Sequence, residues 1–200
     1  MFRTKLIVVC FVGLAASALP AFSQSEGMGG SEVSVQAFGS FVKSTTDNGI
    51  DNKATNSGGL LGTYRYFFNT HNGVEGDYGY SLNTQNYGLP AGTLGVKSYS
   101  NEVSAAYVFR VPMRSFTPFV LAGASGLIFD PKNFVGASSQ ARAAFVYGAG
   151  ADFNLPRHFF MRAEYRGFVY NSPTYDLTGL AGADRVTHRA EPSLGFGYRF

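Results

Sequence analysis

From about residue 30 onward, apolar and polar side chains trade places every second residue. Segments of roughly ten residues carry this period, which belongs to strands with two different faces. In Ser31–Val42, the residues Val33, Val35, Ala37, Gly39 and Phe41 share one face, and Ser34, Gln36 and Ser40 share the other. Gly58–Phe68 sets Leu60, Tyr64, Tyr66 and Phe68 against Thr63 and Arg65. Val74–Leu82 sets Val74, Tyr78, Tyr80 and Leu82 against Glu75, Asp77 and Ser81. Lys97–Val111 opposes Tyr99, Val103, Ala105, Tyr107, Phe109 and Val111 to Ser100, Glu102, Ser104 and Arg110.

Four more segments follow. Phe116–Phe129 is apolar on both faces, and its register is read with Phe119, Leu121, Leu127 and Phe129 outward. Ala141–Phe153 places Phe145, Tyr147 and Phe153 opposite Ala144, Gly148, Gly150 and Asp152. Phe159–Tyr170 alternates Arg162, Glu164 and Arg166 with Met161, Ala163, Tyr165 and Gly167. Val186–Phe200 ends with Leu194, Phe196, Tyr198 and Phe200 on one face and Ser193, Gly195, Gly197 and Arg199 on the other. Pro192 interrupts this last strand by removing a ladder donor, and a bulge is the expected accommodation.

The connections alternate in length. Polar loops are expected at Lys43–Ser57, Asn83–Val96, Asp130–Gln140 and Asn171–Arg185. Short turns are expected near residues 69–73, 112–115 and 154–158. Long loops on one side and short turns on the other mark a membrane barrel with an even strand count. A soluble β-sandwich would also alternate, but its outward face would be polar. Here the aromatic face is the broad one, so the polar face is the enclosed one.

The N-terminus explains how such a chain leaves the cytoplasm. Arg3 and Lys5 precede an apolar run from Leu6 to Leu19, and Ala21-Phe22-Ser23 fits signal-peptidase cleavage before Gln24. Residues 1–23 are therefore read as a signal peptide and residues 24–200 as one barrel domain. Removing Arg3 and Lys5 leaves 14 basic against 13 acidic residues, a net charge of +1. That balance gives no basic face for nucleic acid. Cys10 leaves with the signal, so neither a disulfide framework nor a thiolate metal site is expected. No later run has 18 consecutive apolar residues, which excludes membrane-spanning helices. Without them, only a closed barrel satisfies the backbone inside lipid. The fold class is thus all-β, an eight-stranded antiparallel transmembrane barrel.

Two segments carry a family resemblance, Arg162-Ala-Glu-Tyr-Arg166 and Gly195-Phe-Gly-Tyr-Arg-Phe200. With them, Ser31–Phe200 resembles the small outer-membrane barrels related to the OmpA transmembrane domain, OmpX and the Opa proteins. The resemblance implies a place in the bacterial outer membrane among its lipids and lipopolysaccharide. It also implies that Leu194, Phe196, Tyr198 and Phe200 form the signal read by the barrel-assembly machinery. The length leaves no room for a second, peptidoglycan-binding domain, so that function is not carried over.

The candidate chemistry lies inside. Arg65, Glu75, Asp77, Glu102, Arg110, Asp152, Arg162, Glu164, Arg166, Arg189 and Glu191 all fall on the enclosed face. An eight-stranded barrel is narrow enough for side chains to fill, and buried ions must pair. Depth counting pairs Arg65 with Glu75, Asp152 with Arg162 and Arg166 with Glu191. A structural ion-pair network is the leading reading, and a gated ion path is the alternative. His71, His158 and His188 are scattered, which does not suit a metal centre. His188 with Glu191 or Ser193 is the one local catalytic candidate, but the latter two alternate to the opposite face. Asp47, Asn48, Asp51 and Asn52 lack the spacing of a calcium loop. The expected function is a monomeric, non-enzymatic surface scaffold without cofactors, whose loops contact host or surface ligands. A small pore and a lipid A-modifying enzyme are the alternatives.

Overall fold

Alternation becomes strand wherever lipid and lumen lie on opposite sides of the chain. The computed structural model describes residues 30–42, 45–47, 50–54, 57–89, 92–131, 140–171 and 186–200. Residues 1–23, expected to be a signal peptide, and most of the third and fourth expected loops lie outside the described residues. The strands are β1 (Gly30–Val42), β2 (Thr45–Asp47), β3 (Ile50–Ala54), β4 (Ser57–Phe67) and β5 (Asn72–Leu89). They continue with β6 (Gly92–Arg110), β7 (Phe116–Pro131), β8 (Gln140–Asn154), β9 (Phe159–Asn171) and β10 (Val186–Arg199).

Eight of these form a closed antiparallel ring in the order β5-β4-β1-β10-β9-β8-β7-β6, with β6 pairing back onto β5. The ring closes through β1 and β10, the first and last strands, from Glu32↔Arg199 to Val42↔Arg189. Closure removes every sheet edge within the ring, as lipid requires. The short turns are tied locally. Asn69 Oδ1 accepts the backbone N–H groups of His71 at 2.9 Å and Asn72 at 2.7 Å.

Two expected loops are strand instead. β5 and β6 stay paired from Asn72↔Phe109 to Leu89↔Gly92, through the segment 83–96 read as a loop. The β2–β3 hairpin occupies part of the segment 43–57, and β3 pairs with β5 from Asp51↔Gly88 to Ala54↔Gln85. β4 pairs with β5 only as far as Ser81. Residues 82–89 therefore carry the β5–β6 ribbon roughly 25 Å further along the strand. Alternation could not reveal this extension, because a strand that has left the membrane no longer has one lipid face to keep apolar.

The register of β7 is the reverse of the expected one. Phe119, Leu121, Leu127 and Phe129 are all buried in the lumen, whereas Val120 and Ile128 are exposed. The inner face of β7 belongs to an apolar cluster with Phe67, Val108, Val146, Phe168 and Tyr170. Glycines on the neighbouring strand make room for it. A Cβ on Gly150 would sit 2.5 Å from the Phe119 ring, and one on Gly148 would sit 3.2 Å from Leu121 Cγ. With a large apolar side chain inside and Val, Ala or Ile outside, β7 shows no contrast to read.

The expected bulge at Pro192 is also absent. β10 pairs with β9 without a slip from Val186↔Asn171 to Tyr198↔Phe159. Its pairing with β1 keeps one register on both sides of a gap at Gly39 and Ser40. Proline is accommodated by leaving out ladder contacts, not by inserting a residue.

Candidate functional site

The enclosed face gathers the charged residues into three levels. Nearest the short turns, Glu32 on β1 accepts from Arg162 Nη2 at 3.1 Å, Arg110 Nη1 at 2.5 Å and Arg199 Nε at 2.9 Å. Asp152 accepts from Arg162 Nε at 2.7 Å and Nη2 at 2.9 Å. At the next level Arg65 pairs with Glu75 and lies 3.5 Å from Glu164. Gln36 joins this level by donating to Thr63 and Glu164, both at 3.4 Å, and it accepts from Ser193 at 2.9 Å.

The third level closes the lumen across its full width. Arg166 on β9 lies 2.7 Å from Glu102 on β6, 3.2 Å from Glu191 on β10 and 3.6 Å from Asp77 on β5. Arg189 on β10 pairs with Glu102 and lies 2.9 Å from Glu191. β9 and β5 stand opposite one another in the ring, as do β10 and β6. Their contact means that side chains from opposite walls touch. Ser104 donates to Asp77 at 2.8 Å, giving that carboxylate a second partner.

Ten of the eleven candidate residues are buried here, and Arg110 is half-buried at the short-turn mouth. Arg65–Glu75, Arg162–Asp152 and Arg166–Glu191 stand directly opposite one another in the ladders. Sequence reasoning omitted Glu32, which binds three arginines. Its parity with Ser34 and Gln36 was the available signal, and it faces both Arg65 and Arg199 in register. Contacts across the lumen, such as Arg110–Glu32 and Arg166–Glu102, join non-adjacent strands, so register alone does not reveal them.

The arginines also lie on aromatic rings. Arg110 sits 3.4 Å over Phe67, Arg65 3.9 Å over Phe119 and Arg189 4.6 Å over Phe168. A guanidinium can lie flat on a ring while its edge donates to carboxylates. The arrangement therefore neutralises charge within the lumen.

The histidine candidate is separate. His188 is on the outward face, with Nε2 2.7 Å from the Tyr147 hydroxyl, whereas Glu191 and Ser193 are buried inside. Among the described residues, no group of three metal-ligating side chains converges. Leu194, Phe196 and Phe200 are exposed on the outer face, and Tyr198 packs edge-on against Phe159 and Phe200, each with ring centroids 5.1 Å apart.

A lumen of paired charges inside an aromatic exterior is the inverse of a soluble protein, and a family comparison agrees. The model of the outer membrane protein beta-barrel domain matches residues 7–200. This chain belongs to that outer-membrane β-barrel family. As an outer-membrane barrel, it shares its fold with Ail of Yersinia pestis, solved with the heparin analogue sucrose octasulfate. The two are 24% identical over 86% of this chain and 99% of Ail, with a TM-score of 0.54. OprG of Pseudomonas aeruginosa is 16% identical over 87% of this chain and 97% of its own, with a TM-score of 0.62. Neisserial surface protein A is 15% identical over 85% and 97%, with a TM-score of 0.58. A comparison with curated proteins finds no match.

Proposed function

We propose that this outer-membrane barrel is a closed, non-enzymatic scaffold that presents its long connections at the cell surface. The observation that carries this reading is the third lumen level. Arg166 reaches from β9 to Asp77 on β5 and Glu102 on β6, and its side chain is 0% exposed. A continuous aqueous path would wet this residue. The ion-pair network acts as a structural plug, because unpaired ions there would be costly. The β5–β6 ribbon extends past the rim and offers a paired-strand support for surface contacts, where binding tends to reside.

The barrel sits as a monomer among outer-membrane lipids and lipopolysaccharide. The outward stripe of Leu194, Phe196, Tyr198 and Phe200 serves as the mark for the barrel-assembly machinery. Single-channel recording in planar bilayers tests the closed scaffold, and silence is the expected result. Steady conductance altered by Arg166→Met would replace the scaffold with a pore. For the surface role, cells displaying the protein with and without residues 84–95 are compared for ligand binding. A sulfated polysaccharide is the first probe, because Ail was solved with a heparin analogue. Binding that survives the deletion would remove the ribbon from the reading.

A further inference from the structure

The short-turn end faces the periplasm in outer-membrane barrels, and the charged side chains of its turns are of one sign. Its three turns, 68–71, 111–115 and 155–158, contain Arg114 and Arg157 and no acidic side chain. Both arginines are exposed. Arg110 and Arg199 are half-exposed at the same mouth, and among the described residues the nearest side-chain carboxylates, Glu32 and Asp152, are buried beneath them. The segments at the opposite end mix both signs, with Lys43, Asp47, Asp51, Lys53 and Asp130 among them.

A second observation concerns the backbone. Arg157 and His158 both adopt positive φ, at 60° and 66°. Residues other than Gly, Asn, Asp and His rarely occupy that region, so Arg157 is the unusual one of the two. This chain uses 25 glycines, yet it keeps an arginine at 157 where glycine would sit without strain. Strain retained at an exposed turn points to a use for the side chains. The turn is also held in place. Asn154 Nδ2 donates to the Met113 and Arg114 carbonyls at 3.3 Å each, and its N–H donates to the Ser115 carbonyl at 3.0 Å. Arg199 fixes Asn154 from the lumen side at 2.6 Å. The two arginine-bearing turns are therefore joined into one surface.

We propose that this surface, centred on Arg114 and Arg157, docks the anionic phospholipid headgroups of the facing leaflet. Exposed Met113, Phe116, Leu155 and Phe159 flank the turns. Seated in the acyl region, they set the guanidinium groups at phosphate depth. A guanidinium matches a phosphate with two parallel donors. The net negative charge of phosphatidylglycerol, absent from phosphatidylethanolamine, supplies the preference.

The test uses nanodiscs holding equal amounts of these two lipids, with native mass spectrometry of the lipids retained on the released protein. The wild type should retain phosphatidylglycerol preferentially, by about fivefold for each engaged arginine. Arg114→Gln with Arg157→Gly should return retention to parity. Glycine at 157 suits the φ of that turn, so the double variant should keep the melting temperature of the wild type. Equal retention of the two lipids by the wild type overturns the proposal, as does enrichment that survives the double variant. Equal retention combined with cosedimentation on peptidoglycan sacculi, lost in the double variant, would reassign the surface to that polymer.

Discussion

β9 and β7 bound the same lumen with opposite chemistry. The inner face of β9 carries Arg162, Glu164 and Arg166 between Phe160 and Phe168, whereas that of β7 carries Phe119, Leu121, Leu127 and Phe129 and no charge. Their outer faces differ far less, with Ala163 and Tyr165 on one and Val120 and Ile128 on the other. The enclosed space is therefore not uniformly polar. It has a charged side and an apolar side, and arginines bridge them: Arg65 bonds to Glu75 while lying on Phe119. The apolar side excludes water from the charged side. That exclusion strengthens each ion pair and makes each broken one more costly.

The largest effect should come from breaking the charged side. Arg166→Met removes the cation shared by Asp77, Glu102 and Glu191. A loss of about 3–5 kcal/mol is expected in urea unfolding from lipid vesicles, because buried carboxylates lose their partner. A loss below about 1 kcal/mol would mean that water solvates them, as in an ordinary polar lumen. The apolar side should respond next. Leu127→Ala, at a fully buried position, should cost about 2–4 kcal/mol. Ile128→Ala, one residue on and facing outward, should cost less, about 1–2 kcal/mol, since it loses the transfer of its methylenes into lipid but leaves no cavity. Reversed costs would return β7 to the register that a purely polar lumen predicts.

The same contrast explains what the sequence made legible. Where the inner face is charged, as in β9 and β4, period-2 alternation identifies strand, face and neighbour. Arg65 and Glu75 could be paired before any coordinates, because a short turn fixes their register. Where both faces are apolar, as in β7, orientation depends on which neighbours have room. That information sits in Gly148 and Gly150 on another strand. Glu32 has the right parity and faces Arg199 in register, but its other partners, Arg110 and Arg162, lie on strands not adjacent to β1, so pairing along the ladder reveals only part of its role. Beyond the rim the pattern stops carrying information, and so the β5–β6 ribbon read as loop.

A smaller effect should appear where the backbone makes space for the charged side. Gly79 faces inward opposite Glu102, and a Cβ there would lie 2.7 Å from Glu102 Cγ. Gly79→Ala should displace this flexible side chain from Arg166 and Arg189, at a cost of about 1–2 kcal/mol. Combined with Arg166→Met it should add little, because both changes disturb the same contact. Full additivity would show that Gly79 acts through the strand and not through Glu102.

The smallest effect should lie on the wall itself, at the seam between the first and last strands. Pro192 has no hydrogen to give the Gly39 carbonyl opposite it, and the β1–β10 ladder is interrupted there in an otherwise unbroken register. Pro192→Ala restores that donor without asking any residue to move. One recovered hydrogen bond contributes about 0.5–1.5 kcal/mol, and the looser unfolded chain takes back about 0.4–1 kcal/mol. The net gain should therefore stay below about 1 kcal/mol. The sharper readout is local. The new amide at position 192 should exchange with solvent hydrogen as slowly as its neighbours in β10. Fast exchange there would mean that the strands are held apart at this point by more than a missing proton, and that the seam is built open.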